Sequence, residues 1–390
     1  MTSSLTHALR VWEWRIWILL LYAVPLHEAA KNALWAVGVV LMAARFVVER
    51  RKPMLDFPGW AVLAWIAAGL WATMFAIEPA ASFKGLWDMV RGAGMFGLAI
   101  SVCDNSERRV ASVRHIIYSA MIAACIGLFN YAWSLWILKA YAQKLAVQLR
   151  SVGHYNQSGA WLAMAWAFAL AGALHGRVIC RKWIAAAACV VIGLALAGST
   201  SRTAIGSALV VTVLLLWLAR SQRWLRAALL ALIPCILLVM AMSPPLRERL
   251  LSRGSFHNRA AIWHGAEEAV RSRPWTGVGL NNFRNIMLTS GEPTQFITVD
   301  HAHNLYVNHL AQEGWPGMAA LLVMLGSTAF AVIRLRGSDS SDTQLIFHAT
   351  LGVGLIVMLT GFSNTSLHHE LSMMFFAAMG MAASASPREA

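Results

Sequence analysis

Charge is scarce along this chain: Asp, Glu, Lys and Arg together make up 13% of its 390 residues. The shortage is one-sided, with 18 acidic residues against 32 basic ones. Intramembrane acids are too sparse to form a carboxylate relay, which argues against an ion-coupled transporter. Cysteine is rarer still. Cys103, Cys125, Cys180, Cys189 and Cys235 all fall in or beside apolar runs, without metal-ligand spacing or an evident disulfide. They read as small apolar fillers. No D-x-D, no Gly-x-Ser-x-Gly elbow and no His/Glu cluster with metal-ligand spacing occurs, so the sequence carries no sign of a metal site or a hydrolase elbow. No cleavable signal peptide is expected either: the first apolar run, Ile16 to Leu26, has no small-residue cleavage site and reads as a first span. Internal repeats and low-complexity tracts are absent.

What fills the chain is apolar. Hydrophobic residues make up 58% of it, and the mean hydropathy is +0.57. A soluble domain of this size is far more polar. Apolar runs of spanning length recur from end to end, which predicts an all-α polytopic membrane protein of about twelve transmembrane helices. The spans fall near 12–27, 33–48, 59–77, 88–103, 112–138, 157–175, 183–199, 203–219, 225–242, 316–335, 344–363 and 368–385. They divide the chain into nine spans over 1–242, a large loop over 243–315, and three spans over 316–390. Trp12, Trp14, Trp60 and Trp224 suit interfacial anchoring near span ends.

The net charge of +14 belongs to this arrangement and does not signal nucleic acid. One set of loops is short and basic: Arg50-Arg51-Lys52, Arg108-Arg109 with Arg114, Arg177 with Arg181-Lys182, Arg220 with Arg223 and Arg226, and Arg334 with Arg336. The positive-inside rule places these, and both termini, in the cytoplasm. The opposite loops should then be poor in cations, yet Lys84, Lys139, Lys144, Arg150, Arg202, Arg247, Arg249, Arg253, Arg259, Arg271, Arg273 and Arg284 lie there. Some of these are expected to bind an anion; solvated arginines are the alternative for any one of them.

Within 243–315 the pattern predicts structure. Asn258 suits the cap of a helix over 259–272 whose apolar face is Ile262, Ala266, Ala269 and Val270, stopped by Pro274. Gly277 and Gly279 suggest a tight backbone turn close to a ligand or another helix. From Asp300 to Gly317 the chain reads as a further helix, capped by Asp300 and stopped by Gly314 and Pro316. His303, Asn304, Asn308 and Gln312 share one of its faces. Two readings fit: an amphipathic helix lying on the membrane surface, or a helix start that presents His303 as a base or as a hydrogen-bond donor that binds phosphate.

Three arginines stand out. Arg202 follows the small residues Gly198, Ser199, Thr200 and Ser201, which leave room for an anion beside a bidentate guanidinium. Arg259 is a cation in a helix first turn, where it is locally unfavourable. Arg150 opens a turn-rich stretch that includes Asn156 and Gln157. Glu370 and the His368–His369 pair sit near an outer span end; a structural role suits the pair better than a catalytic one.

The motifs S-T-S-R-T-A at 199–204, N-R-A-A-I-W at 258–263, P-W-T-G-V-G-L-N-N-F at 274–283, H-A-H-N-L-Y at 301–306 and E-G-W-P-G at 313–317 occur in this order. With R-S-V-G-H-Y-N-Q at 150–157 they make the chain resemble the O-antigen ligase/polymerase family of bacterial membrane glycosyltransferases. The first 140 residues match that family only in hydropathy. The resemblance implies a GT-C-like fold in the inner membrane and a periplasmic active site. It implies transfer of a polysaccharide from undecaprenyl pyrophosphate to the lipid A–core oligosaccharide, inverting, with neither metal nor other cofactor. By position it makes His303 the catalytic histidine, with His301, Asn156 and Glu370 in support. Arg202, Arg259, Arg150, Asn304 and Lys84 become the donor-binding set. A polymerase of the same family is the near alternative. A lipid-linked oligosaccharide flippase is the distant one, disfavoured because the polar residues gather at outer span ends.

Overall fold

The computed structural model describes residues 2–50, 56–137, 146–175, 182–219, 254–286 and 299–385. The expected ninth span, the loop basics Lys139, Lys144, Arg247, Arg249 and Arg253, and the basic turns at 176–181 and 220–226 lie outside these residues. Regular structure among the described residues is helical throughout. It comprises α1 (Thr2–Leu26), α2 (Glu28–Glu49), α3 (Phe57–Met74), α4 (Pro79–Val102), α5 (Ser106–Ile137), α6 (Tyr155–His175), α7 (Lys182–Gly198), α8 (Arg202–Leu218), α9 (Gly254–Ser272), α10 (Leu305–Ile333), α11 (Ser341–Gly361) and α12 (His369–Ala385). Six of these, α2, α3, α5, α6, α10 and α11, are long and apolar enough to cross a membrane.

Alanine and glycine set how closely the helices approach. In α6 almost every side chain is buried, and its small residues let α7, α8, α11 and α12 pack around it. A Cβ at Gly352 of α11 would stand 2.7 Å from Ala167 of α6. One at Gly380 of α12 would stand 2.6 Å from Ala99 of α4. Apolar helices in lipid gain little by hiding hydrophobic surface from one another, so close van der Waals contact of this kind holds them.

The buried charges sort to two levels. At one level Arg45 Nε donates to Glu13 at 2.7 Å, and Arg10 pairs with Glu49 at 2.9 Å. At the other, Lys31 pairs with Glu28 at 2.8 Å and with the buried Glu370, while Arg91 pairs with Asp88. Lys31 and Arg45 are fourteen positions apart on α2, about 21 Å at 1.5 Å per residue. That is most of a ~30 Å hydrocarbon core. Placing ions at both ends leaves the middle apolar and avoids the cost of an unpaired charge in lipid.

Cys103 and Cys189 are buried fillers, as expected, whereas Cys125 is exposed. Trp12 and Trp60 are exposed, as anchors should be.

Outside this bundle α9 builds a second, smaller core. Ile262, Ala266 and Ala269 pack with Val278, Phe283, Ala302 and Ala311, and Val270 lies against them. The apolar face read from sequence is therefore the buried one, and the helix stops before Pro274 as expected. Its start differs: α9 begins at Gly254, so Asn258 lies within it rather than capping it.

Candidate active site

The site is organised by a break in α10. Gly314 has φ 67°, a left-handed conformation that separates a first segment from the rest of the helix. Pro316 lacks an N–H, and Trp315 turns its own N–H to Pro274 O at 2.8 Å. The carbonyls of Ala311 and Gln312 therefore lose their helical partners. Val278 N–H and Gly279 N–H fill both places, at 3.0 and 2.9 Å. Buried carbonyls left unpaired would each be costly, so the loop 274–285 and the break specify each other. Gly277 is required at this contact, since a Cβ there would stand 2.3 Å from the Gln312 carbonyl carbon. The glycine turn read from sequence thus packs against a helix.

The loop is fastened to α4 by Asn282, which is fully buried. Its amide donates to Ser82 Oγ at 2.8 Å and to Glu78 O at 3.1 Å, and its Oδ1 accepts Glu78 N–H at 2.8 Å. Replacing Asn282 by Ala is expected to destabilise the protein by about 1–3 kcal/mol, the usual result of orphaning buried partners. Thermal unfolding of the purified variant checks this; an unchanged midpoint would contradict it.

The polar face read over 300–317 exists but points inward. Asn308, His309, Gln312 and Glu313 are buried, which removes the surface-helix reading. Asn308 Oδ1 accepts Ala302 N–H at 3.1 Å, and Gln312 Oε1 accepts Asn281 N–H at 3.0 Å. The cap also differs from expectation. Asn304, not Asp300, begins the helix, accepting Tyr306 N–H at 2.9 Å and Val307 N–H at 3.1 Å. Its amide nitrogen donates to Phe362 O at 3.2 Å. Asn304 therefore caps α10 and ties its start to the end of α11.

His303 immediately precedes this cap, with φ 50°. A non-glycine residue in that region is strained and held by its surroundings. The strain turns the chain so that the rings of His301 and His303 meet edge to face, 4.4 Å between centroids. Burial lowers the pKa of His303 to about 4, and the positive charges of His301, Arg259 and His154 add to the effect. Burial also lowers His301, opposed by Asp300. Both rings are therefore neutral at physiological pH. Burial holds Arg259 below its ordinary value, with Arg202 adding and Tyr155 opposing. Two guanidiniums close enough to repel one another form a site suited to an anion.

The fold thus brings together His301, His303, Arg259 and Arg202 from three distant stretches. Sequence reading missed His154 and Tyr155, which join them from the start of α6. Their signal lies in the R-S-V-G-H-Y-N-Q motif itself, beside Arg150 and Asn156. Arg150 is exposed in the turn before α6, and Asn156 N–H donates to His154 Nδ1 at 3.4 Å. Lys84 is exposed on α4. Glu370 is buried against Lys31 and so belongs to an ion pair. His368 lies close to His301 and His309.

The fold also assembles what no local spacing shows: Asp88, His368 and His369 offer ligand atoms within 4.8 Å of one another. Arg91 already binds Asp88 there and stands 3.2 Å from His369 Nδ1. A cation entering this group would have to displace a guanidinium.

Residues 187–322 match the family model described as O-antigen ligase. That segment is similar to the O-antigen ligase family. It spans the end of α7, α8, α9 and the broken start of α10, and so includes Arg202, Arg259, His301 and His303. This similarity supports a glycosyltransferase-type activity on lipid-linked polysaccharide in general. His154, Tyr155, Arg150 and Lys84 precede the matched ligase segment, and Glu370 follows it. No curated protein matches the chain.

Proposed function

We propose that this chain is an O-antigen ligase. It would transfer a polysaccharide from undecaprenyl pyrophosphate to the lipid A–core oligosaccharide at the periplasmic face of the bacterial inner membrane. Both termini would lie in the cytoplasm, with about twelve spans between. The observation that supports the chemistry is the neutral, strained His303 beside Arg259, which in turn faces Arg202.

The acceptor hydroxyl oxygen attacks the anomeric carbon from the side opposite the pyrophosphate, so the configuration inverts. The bond from that carbon to the pyrophosphate oxygen breaks, and its electron pair leaves with undecaprenyl pyrophosphate. The hydroxyl proton passes to a ring nitrogen of His303. Arg202 and Arg259 stabilise the charge gathering on the leaving group, as fixed donors do in an oxyanion hole. A base with a pKa near 4 is weak in the empty site. The donor's own negative charge raises that pKa when it binds, so basicity is greatest with donor in place.

A deletion strain tests the biological assignment. Polymer should vanish from lipid A–core while polymer on the lipid carrier persists. Loss of long lipid-linked polymer itself would indicate a polymerase instead.

A further inference from the structure

At the far end of α10 and α11 from the histidines lies a cavity of about 250 Å³ that the proposed reaction does not use. Trp217 and Leu218 of α8, Arg336 after α10, and Gln344, Phe347 and His348 of α11 line it. His348 and Phe362, the carbonyl partner of Asn304, stand fourteen positions apart, about 21 Å along the helix. The cavity is therefore on the side of the short basic loops.

His348 is 4% exposed, and its Nε2 has no hydrogen-bond partner among the described residues. The rest of the ring is fixed. Nδ1 lies 2.7 Å from Gln344 O, a carbonyl that can only accept, so Nδ1 carries the proton. His175 Nε2, at 3.0 Å, then shares that same proton. In the neutral ring Nε2 is left as a buried lone pair, a group that is costly without a donor. Gln344 does not supply one, because its amide nitrogen is turned to the carbonyls of Arg336 and Ser338, both at 2.9 Å. The cavity thus offers an exposed guanidinium at its edge and a buried acceptor within.

Those two groups select a ligand that has both an anion and a hydroxyl. A cavity of about 250 Å³ has room for a small polar group. Trp217 in its lining is an exposed apolar side chain at the end of α8, where lipid would contact it. Basic cavities between helices on the cytoplasmic side are where anionic headgroups bind.

We infer that this cavity binds an anionic phospholipid with a phosphoglycerol headgroup. Arg336 holds the phosphate, and a glycerol hydroxyl donates to His348 Nε2. The site is separate from the ligase reading and stands without it.

The test uses the purified full-length protein in neutral detergent, titrated with short-chain phosphatidylglycerol while its thermal midpoint is followed. Matched phosphatidylcholine and free glycerol 3-phosphate run beside it. The midpoint should rise with phosphatidylglycerol and not with the other two. Arg336→Gln, at an exposed position, and His348→Phe should each weaken the half-saturation point by about tenfold, the effect of losing one hydrogen bond to a charged or buried group. An equal response to phosphatidylcholine, or an unchanged response in both variants, would overturn the proposal. A response to free glycerol 3-phosphate as strong as that to lipid would overturn the lipid assignment in favour of a soluble phosphate ester.

Discussion

Replacing His303 by Ala is expected to lower turnover by about 10²–10⁴-fold, the usual contribution of a positioned general base. Binding of undecaprenyl pyrophosphate should survive, because the pyrophosphate is assigned to Arg202 and Arg259. His301→Ala should be much milder, since His301 packs on His303 and need not touch the hydroxyl. The pH dependence follows from the sign of the shift. The base must be neutral, and burial with neighbouring positive charge lowers its pKa to about 4 in the free protein. The kcat/KM of the wild type should therefore hold steady from neutral pH downward and fall only as pH drops through about 4. Turnover at saturating donor should fall at a higher pH, because the bound pyrophosphate raises the histidine pKa. Donor binding abolished by His303→Ala would make the residue a phosphate ligand instead. So would a rate that rises as His303 gains its proton.

The arginines should be equally intolerant. Arg259→Lys keeps the charge but loses the planar fork that meets two phosphate oxygens at once. By analogy with losing an oxyanion donor, about 2–4 kcal/mol of transition-state stabilisation should go, or roughly 30- to 1,000-fold in kcat/KM. Arg202→Lys should behave alike, and the double variant should fall short of the sum because both act on one leaving group. The measurement is steady-state transfer at fixed acceptor. Near-normal rates with Arg202→Lys would show that only a general positive charge matters there.

How far these residues could be seen beforehand depended on how local their cause was. The buried face of α9 follows from residues three and four apart, and Pro274 ends the helix by its own covalent geometry, so both were legible. The α10 cap was misread because Asp300 and Asn304 are both good caps in isolation. What favours Asn304 is the left-handed turn at His303 and the carbonyl of Phe362, a partner 58 positions away. The ion pair of Glu370 was not legible, because nothing in its neighbourhood reveals Lys31, 339 positions distant. The same holds for Asp88 and the two histidines it meets. His154 is different: it sat inside a quoted motif, and only the approach of α6 to the 301–303 turn distinguishes it from Arg150. The two glycines were read as marking a close approach, and the structure shows what they approach. The turn they make lets the Val278 and Gly279 N–H groups fill the carbonyls that Gly314 and Pro316 leave open.

The central claim is that these residues move a polysaccharide from a lipid pyrophosphate to a sugar hydroxyl, and purified protein tests it most directly. The full chain would be reconstituted in liposomes with undecaprenyl-pyrophosphate-linked polysaccharide and lipid A–core, in excess EDTA. Polymer should appear on lipid A–core at the rate seen without chelator, and the Arg259→Lys protein should form little of it. No transfer to lipid A–core, or transfer that stops with EDTA and returns with a divalent ion, would contradict the account.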